Sequence, residues 1–496
     1  MITYTSTRGD ETSYTFSEAI LKGIASDGGL LVPETIPHIS LIETQALQNA
    51  SYQEIALFIF KKFQTDLSDD VLQNIIQKAY DSQFDSKDIT PVVHLKDKQY
   101  FLELWHGPTS AFKDMALQIM PLLFGQARKM HAPQTNYLIL AATSGDTGKA
   151  ALEGFKDLPG ISVFVMYPKG RVSQIQELQM QTQEGSNVQV LALQGDFDDC
   201  QKLVKQIFAD KQFHQKLLQE RNMLLSSANS INWGRLIPQI VYYFFGYMQL
   251  VKKSAIVFGD EIDVVVPSGN FGNSLAGLYA KKMGLPVGKI ICASNENNVL
   301  TEFIKTGVYD IRSRHIVRTP SPAIDILVAN NIERLLYRIT HDQKKVATWM
   351  QELAEKRVFR IDAKTKAILQ ETFASGWVDE KTCLTNIKRV FDQTGYLMDT
   401  HTSVAAQVAE EYVSKRPQLI FSTAHFAKFA TDVYAGLTGK RGEEDEFLLL
   451  EKIMKTAKNV TIPVNIAELA KKKKIHMKEC VVDKKMIEKT IMQASA

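Results

Sequence analysis

The stretch Trp105-His106-Gly107-Pro108-Thr109-Ser110-Ala111-Phe112-Lys113-Asp114-Met115 contains the features that decide the fold, a helix breaker followed by the start of a helix. Gly107-Pro108 interrupts regular structure, and Thr109 or Ser110 is a good N-cap. Apolar residues then recur at helical spacing, at Phe112, Met115, Ala116 and Ile119. This pattern predicts that Lys113 lies in the first turn of a helix.

A lysine in the first turn opposes the helix dipole, at a cost of a few tenths to about 1 kcal/mol. A lysine on the surface tolerates that cost, and most lysines are exposed. A lysine beside Phe112 that has a lowered pKa, or that is consumed as an imine, would instead be functional. The residues alone leave both interpretations of Lys113 open.

Downstream of this stretch, short apolar strands alternate with amphipathic helices. The predicted strands are Tyr137 to Ala142, Val163 to Tyr167, Val188 to Leu193, Val264 to Val266 and Ile290 to Ala293. Upstream, Val92 to Leu95 and Tyr100 to Leu104 form a predicted hairpin closed by residues 96–98. Continuously apolar strands of this kind indicate an α/β fold with parallel sheets covered by helices on both faces.

Two loops follow predicted strands and precede helices, which is where ligands bind in open parallel sheets. The first is Val266-Pro267-Ser268-Gly269-Asn270-Phe271-Gly272-Asn273-Ser274. Its glycines allow close approach of the backbone, and its N–H groups at a helix start favour an anion such as a phosphate. An ordinary glycine-rich turn explains the same residues equally well.

The second loop is Ala142-Thr143-Ser144-Gly145-Asp146-Thr147-Gly148. Three hydroxyl groups and a helix N-terminus could hold a carboxylate. The same residue types also form ordinary N-cap clusters, and the residues alone favour that simpler interpretation.

The two ends of the chain look helical. Thr15-Phe16-Ser17-Glu18 is a capping box, and Asp27-Gly28-Gly29 is predicted to end the helix that starts there. Beyond residue 330 the pattern is mostly helical, and Lys471 to Lys474 are interpreted as a solvated helix face rather than a docking arm. The change of pattern at Pro91 predicts that residues 1–90 form a mostly helical N-terminal part.

Composition excludes several classes of function. With 496 residues the chain is long enough for about two to four domains, and its net charge of +3 is too small to indicate a nucleic-acid partner. Four scattered cysteines without a CxxC pair argue against a zinc site and a disulfide scaffold, and they suit the cytoplasm. No signal peptide is evident, and Leu236 to Val251 is too short and too polar to span a membrane.

Six segments in order resemble the threonine synthase family, in its longer bacterial and fungal form, within the fold-type-II pyridoxal-phosphate (PLP) enzymes. They span nearly the whole chain and comprise residues 14–33, 106–114, 144–148, Ser230-Ile231-Asn232-Trp233-Gly234-Arg235, 269–272 and Ser422-Thr423-Ala424-His425 with Ala427-Lys428-Phe429. Thr400 and Phe426 depart from the family, which often has proline at both positions. The resemblance implies a fold like that of the tryptophan synthase β subunit. It also implies an N-terminal domain (1–90), a catalytic α/β region of two subdomains (91–440) and a C-terminal extension (441–496).

The resemblance also implies roles for single residues. Lys113 would hold PLP as a Schiff base and later act as the general base. Gly269, Asn270, Phe271, Gly272 and Asn273 would hold the cofactor phosphate. The neutral hydroxyl of Thr423 would face the pyridine nitrogen, giving a moderate electron sink that suits elimination and helps suppress transamination.

For the substrate, the resemblance implies that Thr143, Ser144, Asp146 and Thr147 surround its carboxylate, chiefly through backbone N–H groups. The Asp146 carboxylate is a puzzle there, because like charges repel; it could instead cap its helix. Arg235, with Asn232 nearby, is the first candidate for the substrate phosphate, since arginine matches phosphate geometry. A structural ion pair explains Arg235 equally well.

Four further side chains are candidates with weaker support. Lys169 and Arg171 are second choices for the substrate phosphate, since they follow a predicted strand. His401 and His425 could transfer protons or could be structural histidines.

The family's reaction is elimination of phosphate from O-phospho-L-homoserine followed by addition of water, which gives L-threonine. Another PLP lyase or dehydratase, or a non-enzymatic binder of phosphorylated ligands, are the alternatives. No metal, nucleic-acid or membrane partner is expected, and the protein is expected to be a monomer or a small homo-oligomer.

Overall fold

A computed structural model describes residues 1–442 and 445–494. Within these ranges the strands, in chain order, are β1 (Tyr4–Ser6), β2 (Leu31–Pro33), β3 (Val92–Lys96), β4 (Gln99–Glu103), β5 (Asn136–Ala142), β6 (Ile161–Pro168), β7 (Val188–Gln194), β8 (Met223–Ser226), β9 (Ile262–Pro267), β10 (Val287–Ser294), β11 (Val308–Asp310), β12 (Val358–Arg360), β13 (Phe373–Trp377), β14 (Gln418–Ser422) and β15 (Glu479–Val481).

The helices of the same ranges are α1 (Phe16–Lys22), α2 (Leu41–Gln45), α3 (Tyr52–Lys62), α4 (Asp69–Ala79), α5 (Asp114–Leu117), α6 (Met120–His131), α7 (Asp146–Phe155), α8 (Gln174–Gln181), α9 (Phe197–Ala209), α10 (Lys211–Arg221), α11 (Trp233–Lys252), α12 (Gly272–Met283), α13 (Val299–Thr306), α14 (Ile332–Thr340), α15 (Gln343–Lys356), α16 (Ala363–Thr372), α17 (Glu380–Thr394), α18 (Thr400–Glu411), α19 (Ala430–Thr438), α20 (Glu446–Thr456), α21 (Val464–Ala467) and α22 (Lys484–Ala494). Short 3-10 helices cover Pro322–Ile324, Phe426–Phe429 and Leu469–Lys471.

Two larger sheets form the centre of the molecule. The six-stranded sheet has the order β13-β10-β9-β14-β4-β3, in which every neighbouring pair is parallel except β3 with β4. The five-stranded sheet has the order β15-β7-β6-β5-β8 and is entirely parallel. The predicted α/β class, the five predicted strands and the hairpin are thereby confirmed. The division of this region into two subdomains stays a prediction.

Helix α11 lies at the centre of the largest hydrophobic core. Its residues from Trp233 to Val251 are all buried, and it packs against α3, α5 and α12. A fully buried aliphatic or aromatic side chain contributes about 1.5–3 kcal/mol, so this helix is a major source of stability. The interpretation of Leu236 to Val251 as a buried helix is confirmed, and no helix in the described ranges is long and apolar enough to cross a membrane.

The N-terminal part is mostly helical, as predicted, with the small antiparallel pair β1–β2 beside α1 to α4. The capping box of Thr15 and Glu18 is present. The predicted end of α1 was wrong: the helix ends at Lys22, with Gly23 at φ 76° as its C-cap. Asp27 instead organises the following turn, where its carboxylate accepts hydrogen bonds from the Ser6 hydroxyl and the Gly29 N–H.

The C-terminal extension does not stand apart from the α/β region. Strand β15 adds to the edge of the five-stranded sheet beside β7, and α22 packs on α9. Lys472 to Lys474 lie in an exposed loop after the 3-10 helix Leu469–Lys471, so their assignment to a helix face was wrong. With β15, the strands β12, β13 and β14 make four strands in the described part of the chain beyond residue 330, where a mostly helical pattern was predicted.

Candidate active site

Three loops meet at one edge of the six-stranded sheet. Strands β9, β14 and β4 are neighbours and run parallel, so their carboxyl ends share that edge. After β9 comes the glycine loop, after β14 comes Thr423, and after β4 comes the segment that leads to Lys113. Two strand spacings amount to about 10 Å, so these three segments lie within the reach of a single small molecule.

Lys113 stands at the start of α5 rather than inside its first turn. Ser110 has φ 57°, and Ala111 pairs with Ala424 in an isolated bridge, so the helix begins only after these residues, with Lys113 as its N-cap. The predicted N-cap role of Thr109 or Ser110 was therefore wrong. The Thr109 hydroxyl and N–H both donate to the Asp114 carboxylate, at 2.7 and 2.8 Å.

Strand-end contacts hold the lysine segment against β14. The Phe112 N–H donates to the Thr423 carbonyl at 2.8 Å, and the His425 N–H donates to the Ser110 carbonyl at 3.1 Å. Thr423 is buried, and in the part of the chain that the structure describes its hydroxyl has no hydrogen-bond partner. The Thr423 hydroxyl is thus available to a ligand close to Lys113.

Lys113 is buried, and its Nζ lies 3.5 Å from Oδ2 of Asp146 at the start of α7. Burial lowers the pKa of Lys113, since water stabilises the ammonium better than the protein interior does. Asp146 opposes that effect, whereas the positive charges of Arg235 and Lys428 add to it. A lysine with a lowered pKa is a stronger nucleophile at neutral pH, so the functional interpretation of Lys113 gains support.

The puzzle over Asp146 is resolved by its partners. Its Oδ1 lies 2.9 Å from Nζ of Lys428 and accepts a hydrogen bond of 2.7 Å from Nε2 of Gln176. Burial acts to raise the pKa of Asp146, but the charges of Lys428 and Lys113 outweigh it and hold that pKa well below its usual range. Asp146 is therefore an ion-pair partner of two lysines and not a helix cap.

The other residues of that loop divide into two groups. The Thr143 hydroxyl accepts hydrogen bonds from the N–H groups of Gly145 and Gly148, at 3.0 and 2.8 Å, so its role is structural. By contrast, the N–H groups of Ser144, Asp146 and Thr147 donate to no acceptor among the described residues. These three N–H groups at the start of α7 can bind a carboxylate.

The glycine loop presents a similar set of donors. In the described ranges, the backbone N–H groups of residues 270–274 donate to no protein acceptor at the start of α12. Nδ2 of the buried Asn273 also lacks a partner there, while its Oδ1 accepts from the Tyr243 hydroxyl at 3.0 Å. A Cβ on Gly269 would lie 2.3 Å from the Ala323 carbonyl oxygen, so only glycine fits. Several buried, unpaired donors around a helix start fit a phosphate group.

The side chains of Asn270 and Phe271 point to other partners. Asn270 is exposed and its Oδ1 accepts from the Asn330 N–H at 3.5 Å, and the Phe271 ring packs against Phe373. Phe271 adopts a left-handed conformation at φ 63°, which turns the chain into α12. The apolar Phe271 can therefore contribute to anion binding only through its backbone.

Arg235 is a buried cation for which the described residues supply no counter-ion. Its Nη1 donates to the Ala228 carbonyl at 2.9 Å, its Nε has no partner, and no ion pair of Arg235 is found in the described ranges. Burial lowers its pKa to about 10. The alternative that Arg235 forms a structural ion pair was wrong, and an anionic ligand would supply the missing charge.

The remaining candidates are engaged elsewhere. The fully buried Asn232 amide bonds to the Ile20 carbonyl and the Gly234 N–H, so it caps α11. Lys169 forms an exposed ion pair with Glu479, and Arg171 is exposed. These placements leave Arg235 as the best supported phosphate ligand of the group.

Both histidines have structural partners. His401 donates from Nδ1 to Asp399 at 2.7 Å, while its Nε2 accepts from the Ala323 N–H at 3.0 Å. His425 caps the 3-10 helix Phe426–Phe429, and burial, assisted by the charge of His106, lowers its pKa to about 3. Proton transfer by either histidine is not supported by these contacts.

Lys428 and Gln176 are site residues that sequence analysis missed. Lys428 lies in a segment that resembles the family but was assigned no role from the sequence, although a lysine between the apolar residues Ala427 and Phe429 was a usable signal of burial. Gln176 carried no comparable signal, because it reads as an ordinary capping-box residue of α8. Both residues act on Asp146 from segments far away in the chain.

Comparisons with known proteins agree with this geometry. Residues 3–80 match the family described as threonine synthase N terminus, and residues 86–416 match the family described as pyridoxal-phosphate dependent enzyme. The chain is 38% identical to threonine synthase of Saccharomyces cerevisiae, over 88% of this chain and 89% of the yeast protein. The crystal structure of PLP-bound threonine synthase from Brucella melitensis covers all of both chains with a TM-score of 0.89 and 33% identity.

A second group of relatives is longer than this chain. Human threonine synthase-like 1 is 40% identical over 96% of this chain, but the match covers 65% of the human protein. The chain spans 57 to 65% of the length of the mammalian threonine synthase-like 1 proteins with which it was compared.

Proposed function

The chain belongs to the threonine synthase family of PLP-dependent enzymes, and we propose that it is a lyase that converts O-phospho-L-homoserine and water to L-threonine and phosphate. The observation that carries the proposal is the combination of a buried amine, N–H groups at two helix starts that donate to no described residue, and an arginine for which the described residues supply no counter-ion. These groups match a phosphorylated cofactor, a carboxylate and a second phosphate.

The residues present fit PLP. The unpaired donors of residues 270–274 and Nδ2 of Asn273 would hold its phosphate, Lys113 would hold it covalently, and Thr423 would face its ring nitrogen. When bound, PLP supplies an electron sink for negative charge that develops on the amino-acid carbons.

Separate residues of the chain would then bind the substrate and transfer its proton. The N–H groups of Ser144, Asp146 and Thr147 would orient the substrate carboxylate, and Arg235 would bind the substrate phosphate. The Lys113 amine would take the proton from the α carbon of the substrate. Asp146 would stay paired with Lys428 and so would not repel the substrate carboxylate.

One assay tests the proposal directly. The purified protein, supplied with PLP and O-phospho-L-homoserine, should release phosphate and accumulate L-threonine in equal amounts. Phosphate release with a keto acid as the carbon product would instead identify a phospho-lyase that does not add water, and absence of phosphate release would overturn the proposal.

Replacing Thr423 with aspartate should change the reaction outcome. A carboxylate at this buried position would favour a protonated ring nitrogen and a stronger electron sink, so side reactions such as transamination should increase at the expense of threonine. The product spectrum of Thr423→Asp is compared with that of Thr423→Ser, which keeps a neutral hydroxyl. Identical spectra for the two variants would show that Thr423 does not face the ring.

A further inference from the structure

Lys113 shares its carboxylate with a second buried lysine. Nζ of Lys428 lies 2.9 Å from Oδ1 of Asp146, whereas Nζ of Lys113 lies 3.5 Å from Oδ2. Lys428 is completely buried and also donates to the Thr109 carbonyl at 2.7 Å. Lys428 is therefore the more tightly held of the two lysines.

The charges around Lys113 come from three elements. Asp146 faces it from α7, Arg235 from α11 and Lys428 from the 3-10 helix Phe426–Phe429. Asp114, its neighbour in the chain, turns its carboxyl to Thr109, and burial raises the pKa of Asp114 to about 6. Two lysines, Lys113 and Lys428, thus share the Asp146 carboxylate, and one carboxylate can neutralise only one of them.

We propose that Lys428 is a positioning residue for Lys113. Lys428 makes the shorter contact with the shared Asp146 carboxylate, which leaves Lys113 as the amine that gives up its proton and accepts the cofactor. The inference rests on the proposed role of Lys113. Attachment joins the Lys113 nitrogen to the aldehyde carbon of PLP with loss of one water, and the ammonium proton leaves to the solvent beforehand.

The local fold supports this division of roles. The Lys428 carbonyl accepts from the Ser173 hydroxyl at 2.9 Å, and Gln176 of the following helix α8 holds Asp146 Oδ1 at 2.7 Å. The Thr109 carbonyl, which accepts a hydrogen bond from the Lys428 ammonium, lies four residues before Lys113 in the chain. Lys428 therefore holds in place both the Asp146 carboxylate that faces Lys113 and the loop that carries Lys113.

The test measures attachment rather than turnover. Protein freed of PLP is mixed with PLP at a series of pH values, the adduct is trapped with borohydride, and the Lys113 peptide is quantified by mass spectrometry. In Lys428→Gln, which keeps a donor for Thr109 but removes the charge, Asp146 pairs with Lys113 alone. The pH midpoint of attachment should then rise by about one unit or more.

Matched variants separate charge from folding. Lys428→Arg keeps the charge and should leave the midpoint nearly unchanged, while Asp146→Asn removes the carboxylate and should lower it. Lys149 is a mostly buried lysine in α7 that pairs with Glu153 and not with Asp146. Lys149→Met should therefore not move the midpoint. If Lys428→Gln does not fold, the opposite shift in Asp146→Asn decides the question.

Each result has a single meaning. An unchanged midpoint in Lys428→Gln or in Asp146→Asn, with the label still on Lys113, overturns this inference and leaves the proposed function intact. Absence of label on Lys113 in the unaltered chain contradicts the proposed function itself.

Discussion

Replacing Lys113 with alanine should abolish turnover and covalent attachment of PLP. The buried Lys113 amine has a lowered pKa and lies where the carboxyl ends of β4, β14 and β9 meet. An alanine supplies neither the nitrogen that holds the cofactor nor the base that takes the α proton. Phosphate release should therefore fall below detection, and the visible colour of the bound cofactor should be lost.

A labelling experiment gives this prediction its control. Lys428 is a second buried amine that contacts the same carboxylate, so borohydride trapping must discriminate between the two. We expect the label on the peptide that contains residue 113 and none on the peptide that contains residue 428. A label on Lys428, or residual threonine formation by Lys113→Ala, would refute the assignment.

Replacing Arg235 with alanine should lower catalytic efficiency by roughly one to two decades, because a charged hydrogen bond contributes about 1.5–3 kcal/mol. Arg235 has a free buried Nε and no counter-ion in the described ranges, so the substrate phosphate is its expected partner. If the contact strengthens as phosphate departs, kcat falls together with apparent affinity. Steady-state kinetics of phosphate release measures both quantities.

Two controls separate phosphate binding from a structural role of Arg235. An analogue of the substrate that lacks phosphate should bind Arg235→Ala about as well as it binds the unaltered chain. Arg334 is a fully buried arginine that donates to the carbonyls of Leu31 and Ile231, so Arg334→Met should lower thermal stability without favouring either ligand. Equal weakening of both ligands in Arg235→Ala would assign Arg235 to the fold.

Much of the fold could be predicted because the signals are local. Strands β5, β6, β7, β9 and β10 appear where short apolar runs predicted them, and the capping box of Thr15 is formed by residues three positions apart. The residues at which helices begin and end were predicted less accurately. Helix α5 begins later than predicted because the pairing of Ala111 with Ala424 overrides the local preference of Thr109 and Ser110.

By itself, the sequence determined the alternation of strands and helices, the glycine loop and the lysine at a helix start, since each depends on residues within a few positions of one another. The tertiary structure alone decided the electrostatics of the site. Lys113, Asp146, Arg235 and Lys428 come from four separate segments. Folding buries all four, brings both lysines within 3.5 Å of Asp146, and places the charge of Arg235 where it acts on Lys113. Burial removes the water that would otherwise screen these charges, and no local pattern specifies which distant side chains become partners.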